Sequence, residues 1–313
     1  MSVSDGRVGA ADDRGTWVAF ALLVLFAGGN AVAVRLSNAG LPPFWGATLR
    51  FGAAALVFWV LVALRGLALP KGRALAGAVL YGILSVGLAY AFLYWGLLRA
   101  PASLAGAMLA FVPLLTLFFA WAHGLEELRW QGLAGALVAT VGVLIGVVGG
   151  FQGALHVPSV LALLAGVACI AESSIVFKLF PKSDPLVTNA LSLSVGTPFL
   201  ALLSRLAGEA WALPSTPRAW GAVGYLVLIG SVVVFYLYLR ILSRWTATAA
   251  SYAFLLMPVA TVLIAAWLLG EAITLPFLIG AALVLAGVWL GAIRSAPQVA
   301  ELTCAEMPSK AMC

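Results

Sequence analysis

Charge is scarce in this sequence. Asp, Glu, Lys and Arg make up 9% of its 313 residues and apolar residues 64%, whereas a soluble domain carries about 25% charged residues. A surface facing water cannot be built from so few charges, which excludes a soluble fold. Cysteine is scarce as well: Cys169 lies in an apolar run and Cys304 and Cys313 near the C-terminal end. Their placement excludes a disulfide framework and metal-ligand spacing. The sequence also lacks a Walker-type phosphate loop, a zinc-protease helix and a nucleophile elbow, so neither ATP hydrolysis nor recognisable hydrolytic chemistry is expected. No cofactor, metal or enzymatic activity is expected. The net charge of +6 does not point to nucleic acid, because the basic residues stand at the ends of apolar runs rather than in one patch.

What is present is a series of apolar runs of about 20 residues between charge clusters such as Arg65, Lys71, Arg73 and Glu126, Glu127, Arg129. Each run is long enough to cross a hydrocarbon core of about 30 Å as a helix. A β-barrel would need segments of roughly ten residues alternating polar and apolar, and these runs are unbroken. The predicted fold is all-α and integral to the membrane, with ten transmembrane helices over Trp17–Arg35, Phe44–Leu64, Ala74–Leu98, Ala102–His123, Trp130–Gly149, Pro158–Phe180, Leu186–Leu206, Ala219–Leu239, Ala247–Leu269 and Leu275–Ile293. Pro42, Pro43, Pro101, Pro158, Pro185, Pro214 and Pro217 fall in connections or first turns, where a missing N–H costs nothing. The run starting at Trp17 is too long for a signal peptide and is read as a retained span.

With the N-terminus in the cytoplasm, twelve of the 17 basic residues lie on that side: Arg7, Arg14, Arg65, Lys71, Arg73, Arg129, Lys178, Lys182, Arg240, Arg244, Arg294 and Lys310. The other side receives Arg35, Arg99, Arg205 and Arg218, and Arg50 lies within a span. The positive-inside rule then places both termini in the cytoplasm. The expected organisation is a cytoplasmic N-terminal segment (1–16), a first five-helix repeat (17–149), a linker (150–157), a second five-helix repeat (158–293) and a polar cytoplasmic tail, expected to be disordered (294–313).

The division into repeats comes from an ungapped self-match. Arg99, Ala105, Pro113, Thr116, Glu126, Gly135, Gly142 and Gly146 meet Arg244, Ala250, Pro258, Thr261, Glu271, Gly280, Gly287 and Gly291, each pair 145 residues apart. Earlier in the chain Arg35 meets Lys178 and Pro42 meets Pro185, at an offset of 143. Five spans is an odd number, so the second copy must enter the membrane from the opposite side, a 5+5 inverted repeat. That architecture recurs in secondary transporters, with the solute site near the midplane between the halves. The bland alternative is a duplicated scaffold.

The five-plus-five spans, Arg50 followed by Phe51 in span two, a proline within spans four and nine, and the stretch from Pro113 to Glu126 followed by the glycines of span five resemble the drug/metabolite transporter superfamily in its EamA-type branch. The resemblance covers Trp17 to Ile293. The second half, with Pro258, Thr261, Gly270 and Glu271, is close to the family pattern, and the first departs from it with Leu125 before Glu126. Within the superfamily the chain looks most like bacterial exporters of aromatic and other amino acids. The resemblance implies an inner-membrane carrier with a small-molecule solute.

Several residues could carry the mechanism. Pro113 and Pro258 lie about eleven residues into their spans, where each would remove a backbone hydrogen bond and bend its helix, as a hinge or as a static kink. Glu172 is the acid deepest in an apolar run, roughly 21 Å along its helix from Pro158. An ionisable group there is a functional candidate, since lipid exposure would cost at least ~2.5 kcal/mol. It is expected to face a cavity, with snorkelling or pairing to Lys178 as the structural alternative. Ser173 and Asn30 hold matched repeat positions and suggest a polar site on the pseudo-axis. Arg50 could meet a solute carboxylate, although an ion pair or carbonyl contacts in the bundle are the favoured expectation. Glu126 and Glu271 are expected to cap the helices that follow them. Tyr90 and Phe235 match across the repeat and, with Tyr238 and Tyr252, could line a cavity for zwitterions with apolar side chains. Aromatic belts and lipid contact are the alternative. Gly142, Gly146, Gly287 and Gly291 form small-xxx-small faces for close helix packing, within one chain or between two.

The sequence therefore predicts a gradient-driven secondary transporter that exports amino acids by alternating access. Its partners would be a small solute, membrane lipid and protons as a possible coupling ion, with no nucleic acid, as a monomer or homodimer. A multidrug or cationic-metabolite exporter is the alternative within the class. An intramembrane enzyme acting on lipid would need a constellation of acids, histidine or cysteine deep inside the spans, where Glu172 and Arg50 stand with a single cysteine, Cys169. A scaffold without transport is the third reading.

Overall fold

A bilayer interior offers no partner for backbone N–H and C=O groups, and a helix satisfies them within one segment, so apolar runs of this length fold as helices. A computed structural model describes residues 9–38, 40–100, 108–148, 156–269, 273 and 275–293. Among them regular structure is helical and no strand occurs. The helices are α1 (Gly9–Asn38), α2 (Pro43–Leu64), α3 (Arg73–Leu97), α4 (Val112–Ala122), α5 (Trp130–Val148), α6 (Val157–Leu179), α7 (Pro185–Leu206) and α8 (Pro217–Arg244). α9 runs as Ala247–Ser251 and, after a turn at Tyr252, Ala253–Leu269; α10 is Leu275–Val288 continued by Trp289–Ile293. Seven of these, α1 to α3 and α6 to α9, are long and apolar enough to cross a membrane, and α4, α5 and α10 contribute shorter apolar stretches.

Three boundaries depart from expectation. α1 already begins at Gly9, inside the segment expected to precede the first span. α8 runs on to Arg244 rather than ending at Leu239, because arginines in a last turn can extend their stems along the helix and hold their charge at the interface. Residues 101–107 lie outside the described residues; 108 and 109 are helical, and a turn at 110 and 111, in which the Phe111 N–H donates to the Met108 carbonyl (3.0 Å), separates them from α4. Pro113 thereby sits in the first turn of α4 and not mid-helix. Its missing N–H costs no helical hydrogen bond there. Pro258 does stand inside a helix, as does Pro198 in α7. Residues 150–155 of the expected linker (150–157) and the tail (294–313) lie outside the described residues.

The internal repeat is visible in the packing. α1 packs on α8 and α9, whereas its repeat mate α6 packs on α3 and α4, the mates of α8 and α9. α2 packs on its own mate α7, and α5 on α10. This exchange of partners is what a two-fold axis relating the copies produces. Both α3 and α8 contain one π-helical segment, Ile83–Leu88 and Leu228–Val233, again 145 residues apart.

Directions follow from the close contacts. A Cβ added to Gly135 would lie 2.6 Å from the Gly287 carbonyl oxygen, and one added to Gly142 would lie 2.6 Å from that of Gly280. Position rises along α5 as it falls along α10, so these mates run antiparallel. The glycine faces at Gly142 and Gly287 therefore serve contact within one chain. α2 and α7 are antiparallel as well: Trp59 Nε1 donates to Ser194 Oγ at 2.9 Å, while the start of α2 lies against Glu209 just past the end of α7. The surroundings of Gly146 lie outside the described residues.

Two acids tie one half to the other. Gly124 (φ +69°) and Gly208 (φ +68°) end α4 and α7 in the left-handed conformation, and the amides of Leu125 and Glu209 donate back to Ala120 and Ser204 in a Schellman turn. The reversed chain brings Glu209 to the N-terminus of α2, where it accepts from the amides of Phe44 (3.1 Å) and Trp45 (2.7 Å). Glu126 accepts from the Thr248 amide (3.1 Å) at the start of α9. It thus caps a helix of the other half, and not the following α5 as expected. Glu271 lies outside the described residues.

Candidate functional site

The densest polar contacts inside the bundle converge on the π-helical segment of α8. Arg50, in the third turn of α2, is 4% exposed. Its Nε donates to Ser231 Oγ at 2.7 Å and its Nη2 to the Gly230 carbonyl at 2.8 Å. Ser231 can accept because its own hydroxyl donates to the Leu226 carbonyl (2.9 Å). From α1, Asn30 Nδ2 donates to the same Gly230 carbonyl at 3.1 Å, and any Cβ at position 230 would collide with Asn30 Oδ1. One carbonyl thus gathers side chains from both neighbouring helices. The carbonyl contact expected of Arg50 is present, and no acid pairs with it among the described residues.

Aromatic rings surround this point. The Arg50 guanidinium carbon lies 4.9 Å from the Phe51 ring centroid. Phe51 is 4.7 Å from Tyr90 and 5.8 Å from Phe235, centroid to centroid. Tyr90 in turn neighbours Tyr94 at 6.2 Å, and Tyr94 neighbours Phe44 at 5.8 Å. The rings of Tyr90 and Phe235, matched across the repeat, therefore both pack against Phe51.

The other expected site residues lie elsewhere. Ser173 is buried and its hydroxyl donates to the Ile170 carbonyl of its own helix at 2.7 Å, so it does not join Asn30. Tyr238 shares a 2.8 Å hydrogen bond with Ser174 Oγ and stacks edge-on with Phe254. Tyr252 is fully buried and donates its hydroxyl to the Gly132 carbonyl at 2.9 Å. It closes the junction of α5, α9 and α10, with Gly291 lying beneath its hydroxyl, which leaves no free edge for a solute. Glu172 Oε1 stands 3.4 Å from His123 Nε2 at the end of α4. Its partner is not Lys178, whose Nζ donates to the Trp245 carbonyl.

Residues that sequence reasoning did not single out are Gly230, Ser231 and Glu209. The first two depend on the π-helical segment, for which no local sequence signal exists. Among the described residues no group of three or more His, Cys, Asp or Glu could hold a metal ion.

The EamA-like transporter family model matches the chain twice, over residues 15–148 and 157–292. The chain belongs to the EamA-like transporter family. As an EamA protein it is a multi-pass membrane transporter acting on a small molecule. An uncharacterized inner membrane transporter of Escherichia coli (strain K12), YedA, is 29% identical over 82% of this chain and 83% of its own length. An uncharacterized transporter of Archaeoglobus fulgidus is 27% identical over 88% of this chain and 97% of its own. A probable terminal-alkyne amino-acid exporter of Streptantibioticus cattleyicolor is 28% identical over 72% and 75%. A crystal structure with a TM-score of 0.77, covering 90% of this chain and 99% of the matched chain at 23% identity, shows the same fold.

Proposed function

We propose that this EamA protein is a secondary transporter that exports neutral amino acids, aromatic ones among them, across a bacterial inner membrane. In this reading ten spans form a 5+5 inverted repeat with both termini in the cytoplasm, and the two halves alternate access to a site lined by Asn30, Tyr90 and Phe235 around Phe51. The observation that carries the reading is the antiparallel packing of α5 on α10, where Gly135 meets Gly287 and Gly142 meets Gly280. Two oppositely threaded copies of one bundle have two equivalent arrangements of the same contacts, which is what alternating access requires. The amino-acid cargo is supported by the S. cattleyicolor exporter and by the aromatic walls. Arg50, a buried cation at the same place, disfavours cationic metabolites.

The test is counterflow in proteoliposomes preloaded with a mixed panel of amino acids and cationic drugs, with and without a pH gradient. Exchange of labelled neutral amino acids is expected. Exchange of drugs alone would reassign the cargo, and no flux of any solute would remove the transport reading. Accessibility of cysteines introduced near residues 5 and 305 to a membrane-impermeant reagent tests the orientation. Labelling of the two ends from different faces would contradict the inverted arrangement.

A further inference from the structure

Arg50 makes two hydrogen bonds, from Nε and Nη2, and a guanidinium carries five N–H groups. Both N–H groups of Nη1 and one of Nη2 have no protein partner among the described residues. The charge is likewise unbalanced. Glu172 faces His123, and Glu209 already accepts from the Phe44 and Trp45 amides and from Ser204 Oγ (2.8 Å). A side chain that only tied α2 to α8 would not need a charge, since a neutral donor satisfies one hydroxyl and one carbonyl. An unpaired cation inside a bundle is costly, and the planar fork it leaves open matches a carboxylate. The two contacts to α8 hold that fork in a fixed orientation, and the part-buried rings of Tyr90 and Phe235, backed by the fully buried Phe51, supply apolar walls near it.

We propose that Arg50 anchors the carboxylate of the transported solute, so that this carrier selects for the acid group of an amino acid and takes the side chain against Tyr90 and Phe235. This rests on the transport reading above and adds a recognition element to it. In proteoliposomes, the labelled amino acid with the highest counterflow is competed with L-phenylalanine, L-leucine and L-threonine and with the amide and the decarboxylated amine of each. In the wild type the acids are expected to compete and the amides and amines to do so at least 10-fold more weakly. Arg50→Gln is expected to raise KM for the acid by roughly 10- to 100-fold, the range for losing charge-assisted hydrogen bonds. Arg50→Lys should recover most of that loss.

Amides or amines that compete as well as the acids would overturn the inference while leaving transport intact. So would an Arg50→Gln protein whose KM is within twofold of wild type. If Arg50→Gln cannot be purified as a folded protein, the wild-type competition series decides alone. Flux of none of these solutes would overturn the transport reading and this inference with it.

Discussion

Substituting alanine at Gly287 tests the helix seam on which the inverted packing depends. A Cβ there would stand 2.5 Å from the Gly135 carbonyl oxygen, 2.6 Å from the Ala139 nitrogen and 2.7 Å from the Ala139 Cβ. The first two are backbone atoms and cannot rotate away. Ordinary contact begins near 3.4 Å, so α5 and α10 must separate along the seam. Forcing extra volume into a packed interface costs about 1–3 kcal/mol, while replacing a mid-helix glycine by alanine returns about 1 kcal/mol. The second term cancels if Gly287→Ala is compared with Gly221→Ala, because position 221 is also helical and a Cβ there meets no atom within 4 Å. The difference between the two variants is therefore the steric cost, about 1–3 kcal/mol. On the scale of soluble domains each kcal/mol is about 2–4 °C. The assay is the apparent melting temperature of the purified protein in one detergent, followed by size-exclusion fluorescence. Gly221→Ala should melt at or above wild type and Gly287→Ala several degrees below Gly221→Ala. Equal melting temperatures would refute the close antiparallel contact of α5 and α10.

Further outcomes follow from single contacts. Glu209→Ala removes the acceptor for two amides at the start of α2 and should lower stability by about 1–2 kcal/mol; an unchanged melting temperature would show that the cap contributes nothing. Tyr252→Phe deletes a fully buried hydrogen bond to Gly132 and should destabilise by about 1–2 kcal/mol while leaving KM for the solute as in wild type; a raised KM would return Tyr252 to the solute site. Glu172→Gln and His123→Ala disrupt the same 3.4 Å contact, so the double variant should behave as either single variant in flux at each pH, and additive effects would show that the two act separately. Pro258→Ala, inside α9, should slow exchange if the bend flexes during transport, and Pro113→Ala, at a helix start, should not; equal slowing by both would contradict the difference in their settings.

Much of the helical plan is readable along the chain because the constraint is simple. A helix in lipid must be about 20 apolar residues long, and Pro43, Pro158, Pro185 and Pro217 mark first turns where they stand. The 145-residue offset is legible for the same reason: glycines at 135, 142, 280 and 287 are kept where backbones touch. The site is less legible. Glu126 caps α9 and not the adjacent α5, since a helix N-terminus accepts whichever acid the tertiary fold brings to it, and proximity in sequence is a poor guide to that. Repeat position pairs Ser173 with Asn30, yet the Ser173 hydroxyl turns onto its own helix. A serine can satisfy itself on a carbonyl one turn back, and an asparagine side chain reaches across to the next helix more readily.

That contrast between Asn30 and Ser173 is part of a wider asymmetry within a symmetric scaffold. The π-helical segments of α3 and α8 hold equivalent places, but the equivalents of Gly230 and Ser231 in α3 are Ser85 and Val86, and at the offset of 143 Arg50 corresponds to Leu193. The copy of the cluster around α8 therefore contains a guanidinium and a carboxamide, while the copy around α3 has Leu193 and Ser173 at the equivalent positions. Backbone features that permit two equivalent packings are duplicated, and the side chains able to recognise a solute are not. A carrier has reason to be built this way. The two access states should be close in energy, which symmetry of the packing provides, and the solute should be held at one place with one orientation, which an unduplicated Arg50 provides.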